Sequence, residues 1–511
     1  MNISQRSSHS KRLFGVTTFV IGAGVMAVEL TASRLLAPFF GASMFVWTSL
    51  IVTILLALAL GYWTGGNLAG KGAKIGTVGA ALCGTSITLI FGVIILPICA
   101  NATSGFLTSF SAAFVALFLG SFVAAVVAFA APVFLLAAAG PILLKEWSEG
   151  SDIGNASGKY FAISTVGSVV GTLLPTLILV PTVGARHTIE MIALIFMALG
   201  LALIPWRRDA LAALIFIPAL AYSEIQPLFS AQKAIEQRES PYQLISVLSD
   251  GEKRYLTFNE SLGVQSVYEP GAQRTGWYFD YLALLPWLRR SVDGSSPKIA
   301  FIGLAGGSGV RAFRTFLAPE EKTDITGVDL DPTVIEIGKK YFALGDLPMR
   351  IVSEDGRMFL QHTKNTFDVI VFDMYSTQVY IPPHVATKEF FTLAHARLSP
   401  GGMIAMNVNA PSDDSPLLKT LVNTIASQFK NVRVIPMPTE WNRVVMASDE
   451  SIPLEEATTH LPPTWNDVAL TITKTRDVRY DPSADIFTDD RAPIELLTDS
   501  MIVRAALTKE K

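Results

Sequence analysis

Charge is what this sequence has least of. Only 16% of its 511 residues are Asp, Glu, Lys or Arg, against about 25% in an average soluble domain. The shortage is uneven: ionisable residues are sparse from Leu13 to Trp206, whereas from Gln232 onward the composition is that of an ordinary soluble protein. A net charge of −3 gives none of the basic surface that a nucleic-acid binder needs, so nucleic acid is excluded as a partner. The two cysteines, Cys83 and Cys99, lie inside one apolar stretch. They read as packing residues rather than a disulfide or a metal pair, and no cluster with metal-ligand spacing is evident elsewhere.

Long apolar runs are what the sequence has in excess. Runs able to cross a bilayer, which takes about 17–25 residues, lie at 13–30, 44–66, 75–99, 111–140, 158–180 and 186–205. Glu29 and Arg34 interrupt the end of the first, and further spans follow it, which argues against a cleaved signal peptide. Lys and Arg gather before the first run, after the second and fourth, and at Arg207 and Arg208. By the positive-inside rule the N-terminus and the Arg207–Arg208 loop face the cytoplasm of a bacterial-type inner or plasma membrane. A seventh run, 210–222, is short for a span. If it crossed, the soluble part would lie outside, so it is expected to lie in the interface or re-enter. A helical hairpin around Gly120 or Pro132 is the alternative, and the count stays between six and eight.

Gly61 and Gly65, Gly66 and Gly70, and Gly167 and Gly171 are spaced four apart, which lets helices approach closely. Packing inside a bundle is expected ahead of a dimer face. Glu29 sits near the end of an apolar helix, where a carboxylate needs a partner or a proton. Arg34 is the expected partner, and a cationic ligand is the other reading.

The second half reads as α/β. Short alternating runs, Leu244–Val247, Arg254–Phe258 and Val264–Tyr268, are separated by turn residues and predict a small antiparallel sheet. After a helical stretch ending in Pro286 and Trp287, Lys298–Gly303 is a continuous apolar run, as in a strand buried on both faces. It ends in a glycine-rich loop, Gly303, Gly306, Gly307, Ser308 and Gly309, of the kind that lets a ligand approach backbone and a helix N-terminus. The next strand, Asp324–Val328, ends at Asp329, placed to accept from ribose hydroxyls. Asp355 and Gly356 follow the third, Met349–Val352, where a carboxylate can take the exocyclic amine of adenine. The fourth, Phe367–Phe372, delivers Asp373 to its carboxyl end, where open α/β sheets place their chemistry. Three carboxylates at three successive strand ends predict a nucleoside site. The expected architecture is a polytopic α-helical membrane domain over 1–226, a small β-sheet subdomain over 227–290, and a Rossmann-like, class I methyltransferase-type domain over 291–511.

These residues resemble the spermidine synthases, in particular their membrane-fused relatives, from about residue 14 to about residue 497. Glu29–Arg34, Gly61–Gly66 and Ser164–Ser168 look like segments of that group's spans. Tyr242-Gln243 resembles the opening motif of the synthase part, and Gln265 stands where a second glutamine lies. Tyr278-Phe279-Asp280 is similar to Tyr-His-Glu, Val328-Asp329-Leu330-Asp331 to Val-Glu-Ile-Asp, and Thr488-Asp489-Asp490-Arg491-Ala492-Pro493 to a C-terminal signature. Asp355-Gly356 matches directly, and Asp373 falls on the catalytic aspartate. The resemblance implies decarboxylated S-adenosylmethionine as donor, a putrescine-like amine as acceptor, methylthioadenosine as product, no metal, and a homodimer. It implies Asp373 as general base with Tyr278 and Tyr375 beside it. Gln243, Gln265, Gly303, Gly306, Ser308, Gly309, Asp329, Asp355 and Gly356 would hold the donor, and Asp280, Ser376, Glu440 and Trp441 the acceptor.

Three departures stand out. Ser308 replaces the aspartate of the family's Gly-Gly-Gly-Asp-Gly, Phe279 replaces the histidine, and Asp373-Met374-Tyr375-Ser376 lacks the second acid of Asp-Ser-Ser-Asp. The nucleoside end is kept and the acceptor end is altered, with Glu440 as a candidate replacement for the missing carboxylate. Intact S-adenosylmethionine as the donor of a methyl or aminocarboxypropyl group is the second reading. The third is a polyamine transporter or sensor regulated by a nucleoside domain.

Overall fold

A computed structural model describes residues 3–40, 44–107, 113–149, 152–204, 209–225, 234–259, 263–288, 296–317, 323–376, 379–437 and 441–509. The chain divides into two compact units, residues 1–232 with 239–244, and 233–238 with 245–511.

The first unit is helical. Its helices are Ile3–Phe40, Met44–Gly70, Ile75–Leu107, Ala113–Ala125, Ala131–Ser148, Ile153–Leu174, Val180–Leu203 and Asp209–Ile225. One-turn π segments, Val126–Ala130 and Pro175–Leu179, join the fourth to the fifth and the sixth to the seventh. Each π turn contains or adjoins a proline, whose missing N–H interrupts the ladder. Among the described residues, five stretches are long and apolar enough to cross a membrane by length and composition: Arg12–Phe40, Met44–Gly70, Ile75–Ala100, Phe118–Ser148 and Ile153–Leu203. The last has 51 residues, and a straight helix of that length would reach about 75 Å, far past a hydrocarbon core of about 30 Å. Gly184, at φ 83° and ψ 163°, breaks it, so the runs read as 158–180 and 186–205 are separate helices. No turn interrupts Phe118–Ser148, so the hairpin around Gly120 or Pro132 does not form.

A Cβ on Gly65 would lie 2.2 Å from the Ala138 carbonyl oxygen, and one on Gly171 1.9 Å from that of Ala23. Those glycine pairs therefore pack helices inside the unit, whereas Gly66 and Gly70 face open space. Leu55, Trp63, Phe161 and Leu177 are each more than half exposed on the outer faces. The expected Glu29–Arg34 pair is corrected. Five residues along a helix turn a side chain about 140° around the axis, and Arg34 instead donates to the backbone carbonyls of Tyr242, at 2.8 Å, and Pro241.

The second unit carries two sheets. The smaller has strands β1 (Ala234–Glu239), β2 (Leu244–Asp250), β3 (Lys253–Phe258) and β4 (Val264–Tyr268), in that order. β1, whose sequence AIEQRE has no apolar face, has no counterpart in the sequence reading. The larger sheet is built from β5 (Lys298–Ile302), β6 (Asp324–Asp329), β7 (Arg350–Ser353), β8 (Phe367–Phe372), β9 (Leu398–Asn409), β10 (Asn431–Pro436), β11 (Asn442–Ser448) and β12 (Arg476–Val478). Its order is β12-β10-β11-β9-β8-β5-β6-β7, parallel from β7 to β9 and antiparallel beyond. This is a Rossmann-like fold. Ile299, Ala300, Phe301 and Ile302 of β5 are buried, which makes β5 the centre of the core. Strand order reverses between β5 and β8, and ligands of open α/β sheets bind at the carboxyl side of such a reversal.

Candidate active site

The loop after β5 is shaped by its contacts. Gly303 has φ 90° and gives its N–H to the Val328 carbonyl at 2.9 Å. A Cβ at Gly303 would lie 2.1 Å from the backbone oxygen of Asp373, so no other residue fits without moving Asp373. Gly306 donates to Ser266 Oγ at 2.8 Å, which brings β4, and with it Gln265, beside the loop. Gly309 lies in the first turn of the helix Ser308–Phe313.

Two carboxylates stand at the carboxyl ends of β6 and β7. Asp329 ends β6; its Oδ2 accepts from Ala305 N–H at 2.8 Å and its Oδ1 from Asp331 N–H at 3.0 Å. Burial nevertheless pushes it up to about 6. Asp355 caps the helix Gly356–His362, its Oδ1 accepting from the N–H groups of Arg357 and Met358, both at 3.0 Å. Its Oδ2 meets His384 Nε2 at 3.0 Å. The His384 hydrogen bond is the largest influence holding this carboxyl below its ordinary range.

Asp373 follows β8 and is the hub of a polar cluster. Tyr278 donates its hydroxyl to Oδ2 at 2.5 Å, and Asn407 Nδ2 donates to Oδ1 at 3.1 Å. Asn407 Oδ1 accepts in turn from Asn442 Nδ2 at 3.0 Å, and that amide also reaches Asn409 Oδ1 at 2.8 Å. Burial pushes Asp373 up to about 6, although both hydrogen bonds favour its charged form. Tyr375 is beside it, donating to the Asn407 carbonyl and accepting from Asn409 N–H, each at 2.9 Å. Burial, with the Asp373 charge second, holds the phenols of Tyr278 and Tyr375 well above their usual value. Asn407, Asn409 and Asn442 are absent from the sequence reading. Phe279, Leu282, Phe301, Leu304 and Val310 line an apolar recess that reaches Gly303 and Asp373.

The other expected residues lie as follows. Ser308 is buried, and its hydroxyl is taken up by β4, donating to the Val267 carbonyl at 2.8 Å and accepting from Val267 N–H at 2.9 Å. Asp280 is 2% exposed, and its carboxylate organises its own loop. Oδ1 accepts from the N–H and hydroxyl of Thr275, and Oδ2 from Gly276 N–H at 3.0 Å and Arg274 Nε at 3.3 Å. Ser376 is exposed and bridges to Tyr380 through its N–H, at 2.8 Å. Trp441 is partly buried against the same apolar core as Met374 and Tyr375. Gly356 opens its helix against Ile302. Gln243 belongs to the helical unit's 239–244 segment, where its N–H donates to Ser240 Oγ at 3.1 Å. Glu440 lies outside the described residues.

The family model of the "Spermine/spermidine synthase domain" matches residues 295–451. Residues 295–451 are thus of spermine/spermidine synthase type. The match contains β5 to β11, with Asp329, Asp355, Asp373, Asn407 and Asn442, and the helical unit lies outside it. The synthase domain makes the chain a transferase. A "Probable polyamine aminopropyl transferase" of Bifidobacterium longum is 28% identical over 314 residues, 56% of this chain and 67% of the relative. A "Polyamine aminopropyltransferase" of Vibrio vulnificus is 27% identical over 306 residues, 56% of this chain and 98% of the relative. The crystal structure of a probable spermidine synthase from Corynebacterium glutamicum aligns with a TM-score of 0.37 at 20% identity, covering 46% of this chain and 88% of that one.

Proposed function

We propose that the chain is a membrane-bound aminopropyltransferase that moves the aminopropyl group of decarboxylated S-adenosylmethionine onto a small putrescine-like amine, releasing methylthioadenosine. The observation that carries this reading is the partly buried Asp373, held by Tyr278 and Asn407 at the strand-order reversal, with Asp329 and Asp355 at the carboxyl ends of β6 and β7 in the same sheet. An alkylammonium ion has no lone pair, so it must lose a proton before it attacks. Asp373, with a carboxyl at about 6, is ionised at neutral pH and can receive that proton. The freed lone pair forms the new C–N bond at the methylene next to sulfur. The C–S bond breaks and its electron pair neutralises the sulfonium. The donor is reactive by itself, so alignment of the two substrates supplies much of the rate. Asp329 takes the ribose hydroxyls and Asp355 the adenine amine. Trp441 and Ser376 lie on the acceptor side, with Glu440 as the proposed second anion for a diamine.

The apolar outer faces of the helices and the placing of Lys and Arg in alternate loops support insertion in a membrane with the synthase domain on the cytoplasmic side. The test of the reaction is calorimetric titration of the detergent-purified chain with decarboxylated S-adenosylmethionine, S-adenosylmethionine and methylthioadenosine, followed by turnover with amines. Tighter binding of the decarboxylated donor, with methylthioadenosine formed only when an amine is present, is the expected result. Preference for the intact donor would overturn it and favour methyl or aminocarboxypropyl transfer.

A further inference from the structure

The C-terminal Thr488–Pro493 motif has no part in the chemistry above, yet it is tied to the nucleoside carboxylate by an unbroken set of hydrogen bonds. Thr488 and Arg491 close a tight turn by exchanging backbone hydrogen bonds at 3.1 and 3.0 Å. The turn presents Asp489 to Arg357 in a two-pronged pair: Nη1 reaches Oδ1 at 2.7 Å and Nη2 reaches Oδ2 at 2.6 Å. Thr387 Oγ1 adds a third donor to Oδ1 at 2.7 Å. Arg357 also donates from Nη1 to the backbone carbonyl of His384 at 2.9 Å. His384 Nε2 in turn lies 3.0 Å from Asp355 Oδ2. An ionised carboxylate only accepts, so His384 carries its hydrogen on Nε2 and donates.

Every step on this path is geometrically specific. The planar fork of arginine matches a carboxylate in one plane only, so Asp489 fixes where the guanidinium can hold the His384 carbonyl. Oδ1 of Asp355 is taken by two backbone amides, which leaves Oδ2 to meet a ligand. A carboxylate oxygen has room for two donors. With His384 on one side of Oδ2, the other lone pair is set in direction. Thr387 fastens the same segment from its far end.

We propose that Asp489 is a positioning residue of the donor site, acting through Arg357 and His384 to hold Asp355 Oδ2 in the orientation that accepts from the nucleobase. The proposal rests on the reading that Asp355 takes the exocyclic amine. It assigns the C-terminal turn to donor affinity, separate from the amine acceptor and from proton transfer at Asp373.

The test compares Asp489→Asn, Asp489→Glu, His384→Ala and Asp355→Ala in the full-length detergent-purified chain, with Asp490→Asn from the same turn as control. The readouts are methylthioadenosine affinity by calorimetry, donor and acceptor KM, kcat, and apparent melting temperature. Asp489→Asn and His384→Ala should each weaken methylthioadenosine and raise donor KM by about tenfold, the worth of one hydrogen bond to a charged group. Their kcat and acceptor KM should stay within about twofold, the pattern of lost donor binding. A protein carrying both Asp489→Asn and His384→Ala should be little worse than either single one, because both act along one path. Asp489→Glu should recover part of the loss, and Asp490→Asn should match the parent. Loss of kcat or melting temperature in Asp489→Asn with donor KM unchanged would make the turn merely structural and overturn the proposal. Should Asp489→Asn fail to fold, the half-exposed His384 decides, and unaltered donor affinity in His384→Ala would overturn it equally. Asp355→Ala separates the two levels: if it leaves donor affinity intact, the reading of Asp355 is lost as well.

Discussion

The Tyr278 hydroxyl donates to Asp373 Oδ2 at 2.5 Å, so the carboxylate proposed to receive the substrate proton is already stabilised in its charged form. Burial pulls the other way and prevails, leaving Asp373 at about 6. Replacing Tyr278 by Phe removes the stabilising side of that balance. The acid limb of the kcat profile should then move to higher pH, by about one pH unit for a hydrogen bond to a charged group. A pH–rate series on the two proteins checks it, and an unmoved limb would show that Tyr278 does not set the base.

Asp373→Asn keeps shape and hydrogen-bonding capacity on one side but cannot take a proton. Loss of a positioned base should lower kcat by about 10²–10⁴. Methylthioadenosine affinity should change little, because Asp329 and Asp355 are untouched. Single-turnover kinetics and calorimetry on the same preparation separate the two quantities.

Burial raises Asp329 and Asp373 alike, each to about 6. Both therefore take up a proton as the pH falls through that value, one losing its charge at the proposed donor site and the other at the proposed acceptor site. The donor kcat/KM, which reports groups of the free enzyme, should fall below pH 6 with a limiting slope of two. In Asp329→Asn the residual activity should show a slope of one. A slope of one in the parent would mean that only one of these carboxylates needs its charge.

Ser308 replaces an acid of the family motif, and the structure says why the acid cannot simply be restored. Its hydroxyl both donates to and accepts from the backbone of Val267, and the residue is 1% exposed. Ser308→Ala should cost about 1–3 kcal/mol by leaving the buried Val267 N–H without a partner. Ser308→Asp should cost more, because it brings a buried charge against the Val267 carbonyl. Apparent melting temperatures in detergent should therefore fall in the order parent, Ser308→Ala, Ser308→Asp.

What could be read from the sequence follows from range along the chain. Asp329, Asp355 and Asp373 are legible because each follows, within three residues, an apolar run short enough to be a strand, and a strand end fixes where the side chains just beyond it go. Asn407 and Asn442 are not, because they meet only once β9 and β11 pair, a register that no local pattern sets. The one clue is that Asn407 interrupts the apolar end of β9, which in a core demands partners. Arg357 and Asp489 are likewise joined across 132 residues. The family motifs suggest Ser308 as a donor residue and Asp280 as an acceptor residue, and only their contacts reveal that each is engaged with its own surroundings. The helical runs were legible because hydrophobic length needs no tertiary information, whereas Gly184's part in dividing the last stretch depends on a backbone angle.

The backbone oxygen of Asp373 occupies the space where a side chain of Gly303 would be. Two loops from neighbouring strands thus share one seam with no slack between them. On the proposed function, any push that a nucleoside exerts on the first loop is delivered to the residue proposed to handle the proton, with no side chain as intermediary. Discrimination among donors can therefore register in the rate of the chemical step as well as in occupancy: a poorly seated donor leaves the base misaligned even when the site is full.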